Sequence, residues 1–171
     1  MCIRDRLTTG EANTALGYQA LKSQTTGGNN VALGYQALET LNHANADGNT
    51  AVGYNSLQAL ATGVSNTAVG VGAADSFEAG ETDNTVIGAN AMGSMMEGNG
   101  QVDQNVALGV NALLGKDIAS SGIAIVDNIA IGTQAMDSGS IGAQTGTIAI
   151  GAQALGALST GSHNTAIGYH S

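Results

Sequence analysis

The chain of 171 residues has no proline, no tryptophan, one cysteine, one phenylalanine and only four lysine plus arginine residues. Each shortage excludes a class. A single Cys cannot build a disulfide scaffold. Without Pro, and with Gly following no three-residue period, a collagen helix is excluded. No apolar run approaches the ~18 residues of a membrane-spanning helix. Four basic residues against 13 acidic ones, a formal net charge of −9, argue against binding a polyanion such as nucleic acid. Five aromatic residues are few for an ordinary core, which leans on large side chains.

What is abundant is alanine and glycine, 28 and 26 residues, almost a third of the chain. Such bias directs attention to repeats. Met1-Cys2-Ile3-Arg4-Asp5-Arg6 matches nothing downstream. It resembles a translated transposon-end adapter of the kind used in sequencing libraries. Residues 1–6 therefore read as an artefact and 7–171 as the protein. Without Arg4, Asp5 and Arg6 the net charge moves from −9 to −10, and the only Cys is lost. The repeats run up to Ser171, so the chain reads as a fragment open at both ends.

The repeat is Asn-Thr-Ala-Leu-Gly-Tyr-Gln-Ala-Leu with variants. Nine copies begin at Asn13, Asn30, Asn49, Asn66, Asn84, Asn105, Asn128, Thr147 and Asn164. The steps from one start to the next are 17, 19, 17, 18, 21, 23, 19 and 17. Position 3 is Ala in eight copies, and position 4 is always Leu, Val or Ile. Position 5 is always Gly: Gly17, Gly34, Gly53, Gly70, Gly88, Gly109, Gly132, Gly151 and Gly168. All four Tyr (Tyr18, Tyr35, Tyr54, Tyr169) fall at position 6, and position 7 is an amide in seven copies.

Positions 2 to 4 have strand propensity. Alternation puts positions 2 and 4 on one face, and Ala at 3 with Gly at 5 on the other. The Ala/Gly face is the candidate for close subunit contact. The fixed Gly suits a corner. Positions 6–9 fit either a second short strand or one helical turn. Thr25-Thr26-Gly27-Gly28-Asn29, Ala61-Thr62-Gly63-Val64-Ser65 and Ser159-Thr160-Gly161-Ser162-His163 have turn chemistry. Strand, corner, short element and turn make one coil, and about nine coils make an all-β solenoid. Stacking places Asn on Asn and Gln on Gln, as amide ladders. It also displaces like charges into the connecting segments. Residues 93–104, 114–127 and 137–146 are the longest excursions. Ile123-Ala124-Ile125-Val126 and Ile141-Gly142-Ala143-Gln144 look like partial copies of the motif.

Asn-Thr-Ala-Leu/Ile-Gly at these spacings resembles the head repeats of YadA-type trimeric autotransporter adhesins, whose core is Ser/Asn-x-Ala-Ile-Gly. The longer unit, followed by Thr-Thr-Gly, is also similar to repeats of bacteriophage tail fibres. The resemblance covers about residues 7–171. It implies a left-handed parallel β-roll and a homotrimer around one axis. It further implies display on a bacterial outer surface or a virion tail fibre. The implied partner is a host cell-surface or extracellular-matrix receptor or glycan, with no nucleic acid and no membrane contact within these residues. The repeats here are longer than the compact adhesin unit, so coil shape is expected to differ.

His43, His163 and His170 belong to no ligand-spaced cluster and read as structural. Ser162-His163 and His170-Ser171 lack a placed acid. Gly70-Val71-Gly72 is followed by Ala73 and lacks the third glycine of a dinucleotide fingerprint. The acidic segments match no calcium-loop pattern. No catalytic, cofactor or metal residue is expected. Tyr18, Tyr35 and Tyr54 fall in successive coils. They form either a stacked ladder that stiffens the coil or a surface contact row for a ligand such as a sugar. Met92, Met95, Met96 and Met136 fill packing gaps. The expected function is a non-enzymatic adhesive shaft. A β-helix polysaccharide-cleaving enzyme would need clustered carboxylates or bases. A left-handed-helix acyltransferase needs a six-residue period, and an ice-binding solenoid needs Thr-x-Thr rows.

Overall fold

A β-branched or aliphatic residue on either side of Ala favours an extended backbone. In the computed structural model every motif copy uses positions 2–4 as a three-residue strand. These are β1 (Thr14–Leu16), β2 (Val31–Leu33), β3 (Thr50–Val52), β5 (Thr67–Val69), β7 (Thr85–Ile87), β9 (Val106–Leu108), β11 (Ile129–Ile131), β13 (Ile148–Ile150) and β14 (Thr165–Ile167). The structure describes residues 10–95, 101–115, 123–138 and 143–171. The nine strands form one sheet in this order. Pairing is parallel and sets equal motif positions side by side, as in Thr50 on Thr67, Ala51 on Ala68 and Val52 on Val69. Each strand is separated from the next by a whole coil, so the chain is a parallel β-solenoid, all-β, with no helix among the described residues.

A second face carries β4 (Thr62–Val64), β6 (Ala79–Thr82), β8 (Gln101–Asp103), β10 (Ala124–Val126) and β12 (Gln144–Thr145). β4 pairs with β6 across a register shift, and β8, β10 and β12 form a three-stranded sheet. Gln104 N–H donates to the Thr82 carbonyl at 2.9 Å, which joins the two groups. Ala61–Ser65, expected as a turn, therefore contains a strand. Ile123–Val126 holds β10. In the other partial copy Ile141 and Gly142 lie outside the described residues, and Gln144 opens β12. Lys116 and Met96 also lie outside them.

Positions 6–9 are neither strand nor helical turn. Positions 7 and 9 have positive φ, as at Gln36 (54°) and Leu38 (50°). The N–H of Gln36 donates back to Tyr18 at 2.8 Å, and that of Leu38 donates forward to Ser56 at 3.1 Å. The segment is thus hydrogen-bonded to both neighbouring coils. The residue before each motif is also at positive φ, from Ala12 (56°) through Asp83 (58°) to His163 (60°). Left-handed backbone costs an L-residue about 1–2 kcal/mol. Burying a leucine side chain contributes about 1.5–3 kcal/mol, so fully buried Leu21, Leu38, Leu57 and Leu113 offset their own strain.

The alternation within each strand is as expected, but its direction is opposite. Ala32, Ala51, Ala68, Ala107, Ala130 and Ala149 are completely buried inside the coil. The bulky residues face out, with Leu16 52% and Ile167 70% exposed. The cause is space: the coil interior already holds position 9 and Leu41, Leu60, Phe77 and Met95 from the opposite wall. Small side chains fit beneath the sheet, a methyl group in eight coils and the larger Val86, also buried, in one. The Ala/Gly face is therefore the lining of the coil and not an external contact surface. Met92, Met95 and Met136 are fully buried, as gap-fillers should be.

Candidate functional site

Three columns run along the solenoid. The first is the asparagine column. Asn30, Asn49, Asn66, Asn84, Asn105 and Asn128 are buried, where an unpaired amide would be costly. None is unpaired. Asn66 Nδ2 donates to Asn49 Oδ1 at 3.1 Å and across the coil to the Glu81 carbonyl at 2.7 Å. The Asn66 N–H donates to the same Asn49 Oδ1 at 3.0 Å. Asn84, Asn105 and Asn128 repeat this arrangement. Asn13 starts the ladder by bonding Gly27 and accepting from Asn30 N–H. Thr147 interrupts it: its N–H reaches Asn128 Oδ1 at 3.0 Å, but its buried hydroxyl has no partner. Asn164 stands half-buried beyond the break.

The second column is glycine. Gly17 to Gly168 at position 5 have φ between 132° and 146°. A Cβ built on Gly70 would lie 2.5 Å from the Gly88 carbonyl oxygen, and one on Gly109 equally close to that of Gly132. Both the corner conformation and the backbone of the next coil require glycine there. The expected amide ladder at position 7 is formed by the Gln pairs: the Gln19 and Gln36 amides are 2.9 Å apart, and Gln153 donates to Gln134 at 3.2 Å. It is not formed at Asn55, whose buried Oδ1 is unpartnered. The next coil places Gly72, which has no side chain, at this position.

The third column faces outward. Side chains at position 4, together with Tyr18, Tyr35, Tyr54 and Val71 at position 6, form an apolar ridge. Tyr18 and Tyr35 stack with centroids 5.2 Å apart, Tyr35 and Tyr54 at 5.1 Å. Both faces of Tyr35 are covered by its neighbours, so the outward surface of the ladder is ring edges and hydroxyls. Tyr169 instead meets His170 edge-on at 4.2 Å.

Charges sit beside the position-7 column. Lys22 bridges Glu39 at 3.1 Å. Burial pushes the Glu39 carboxyl up, but hydrogen bonds from Gln58, Lys22 and Gln36, with the Lys22 charge, outweigh it and hold the group below its ordinary value. Burial raises Asp75 against hydrogen bonds from Ser76, and raises Asp137 against one from Gln134. Asp137, His170 and Ser171 line one open hollow of about 480 Å³. This supplies the acid that the sequence did not place. Yet Asp137 is held by Gln134 Nε2 at 3.3 Å, and the Ser171 hydroxyl donates to the Gly168 carbonyl. They are not arranged as a relay. Among the described residues no three His, Cys, Asp or Glu side chains lie together as a metal site. His43 Nδ1 accepts from the Asn45 N–H in its own connecting segment.

The left-handed backbone just before the motif and at positions 7 and 9 went unread in the sequence. Asn29, Gly48, Asp83, Asp127 and His163 before the motif, and Asn or Gly72 at position 7, are residue types that tolerate this backbone. Their recurrence was the available signal. The columns define a class, a parallel β-solenoid with a polar spine inside and an apolar ridge outside. No protein-family model, curated protein or solved structure matches the chain significantly.

Proposed function

We propose that this chain is a non-enzymatic, surface-displayed adhesive repeat domain that assembles as a homotrimer and attaches to host cells or matrix. The observation that carries this reading is the outward apolar ridge. A single coil is thin, and its strands turn Leu16, Leu33, Ile87 and Ile167 to the outside. Apolar surface of this kind marks an interaction site, and parallel chains would bury the position-4 row against itself in register, leaving the tyrosine row at the rim. Inside, the asparagine spine and glycine corners stiffen the shaft and leave the outer loops to vary. The motif's resemblance to adhesin head repeats supports display outside the cell, on the bacterial outer surface. The resemblance to tail fibres, together with repeats longer than the compact adhesin unit, favours a virion shaft as the second reading.

Light scattering tests the assembly: three times the 16.8 kDa chain mass is expected, and a monomer at micromolar concentration contradicts it. Adhesion is tested by binding of labelled protein to host cells, immobilised matrix proteins and a glycan array. Saturable binding to at least one supports the reading, and none overturns it. A membrane β-barrel downstream of these residues marks the bacterial case; neighbouring virion genes mark the phage case.

A further inference from the structure

We propose that Tyr18, Tyr35 and Tyr54 form an oxidative cross-linking site, at which neighbouring rings of one chain couple to dityrosine. The backbone aligns the column. Gln36 N–H donates to the Tyr18 carbonyl at 2.8 Å, and Asn55 N–H to the Tyr35 carbonyl at 2.9 Å. The rings are near-parallel, 20° and 8° apart in plane, at 5.2 and 5.1 Å between centroids. They are also open to solvent, between 41% and 59% exposed, so an oxidant reaches the edges that carry the hydroxyls.

The chemistry needs a one-electron oxidant, such as a haem peroxidase supplied with hydrogen peroxide. Each phenol gives up an electron and its phenolic proton, and spin appears on the ring carbons beside the oxygen. A carbon–carbon bond forms between one such carbon of each ring. The two hydrogens on those carbons then move to the oxygens and restore both phenols. Two hydrogen atoms leave the protein, and one peroxide becomes two waters. Two radicals held a coil spacing apart meet far more often than radicals on separate chains, because fixed geometry replaces a bimolecular encounter. The product staples adjacent coils from outside, in addition to the Lys22–Glu39 bridge that already links the first two.

The test treats the full chain with haem peroxidase and peroxide and maps cross-linked peptides by mass spectrometry. Tyr18–Tyr35 and Tyr35–Tyr54 pairs, each lacking two hydrogens, are expected, in a yield unaffected by about tenfold dilution. Tyr35→Phe leaves Tyr18 and Tyr54 two coils apart, roughly 10 Å, and should lower the intrachain product about tenfold or more. Tyr169→Phe should change nothing. Far-UV circular dichroism checks that Tyr35→Phe keeps the β-fold. Homotypic Tyr18–Tyr18 products, a yield that falls on dilution, an undiminished yield in Tyr35→Phe, or no dityrosine where free tyrosine couples would each overturn the proposal.

Discussion

Replacing Asn105 by alanine removes one rung of the buried spine. Asn105 Nδ2 donates to Asn84 Oδ1 at 3.1 Å and to the Ile125 carbonyl at 2.7 Å. Its Oδ1 accepts from the N–H and the Nδ2 of Asn128, both at 3.0 Å. Asn128 Nδ2 keeps its bond to Gln144, and Asn84 Oδ1 keeps the Asn105 N–H. One buried backbone group, the Asn128 N–H, loses the only partner that the side chain supplied, while the Ile125 carbonyl stays within the parallel ladder between β8 and β10. The loss is about 1–3 kcal/mol, a sizeable share of a typical stability of about 5–15 kcal/mol. Asn45→Ala, in an exposed connecting segment, should stay within about 0.5 kcal/mol. Urea denaturation measures both. Because solenoids can unfold locally, hydrogen exchange at Asn128 should report the loss even where the global transition broadens. A loss below about 1 kcal/mol, or unchanged exchange at Asn128, refutes the claim that the spine holds the coils in register.

The converse substitution, Thr147→Asn, supplies the missing rung in place of a buried unpartnered hydroxyl and should raise stability by about 1 kcal/mol in the same urea assay. Gly109→Ala drives a Cβ to 2.5 Å from the Gly132 oxygen at φ 138°, so a loss of about 3 kcal/mol or more is expected, read as a lowered urea midpoint. Burial raises the Asp75 carboxyl in the fold, so ionised Asp75 weakens the fold at neutral pH and the weakness fades as pH falls through its folded pKa. Asp75→Asn should therefore be more stable than wild type at neutral pH, with the gap closing below about pH 4. Glu39, held low, acts oppositely: its stabilisation is lost on acidification, and Glu39→Gln should lose least against wild type in acid.

The repeat was legible because its requirements are local and recur. An invariant Gly, a small residue at position 3 and an amide at position 1 each follow from one stacked column, and the structure uses them so. The direction of the sheet was not legible, because alternation states that two faces differ and not which is inside. Ordinarily bulky side chains go in. Here Leu41, Leu60 and Phe77, each at position 12 of its copy and beyond the nine-residue motif, fill the coil and leave room only for Ala51 or Ala68. The strand Thr62–Val64 was hidden by Gly63, which reads as a turn residue. It is in fact the small residue that lets Leu60 and Asn66 approach its backbone. The tyrosine ladder was legible as one of two readings, and the stacking distances favour it.

The columns exist only if equal motif positions stack one coil apart, whatever the sequence distance between them. Pulsed electron paramagnetic resonance measures this stacking, with one spin label at Thr14 and a second at Val106, Ile129, Ile148 or Thr165, diluted with unlabelled chain. These sites lie five to eight strands along the sheet from β1. At about 4.8 Å per strand, the expected distances are about 24, 29, 34 and 38 Å, rising in equal steps. Distances that do not lengthen in this order, or that follow the unequal sequence gaps between copies instead, would contradict the stacked solenoid.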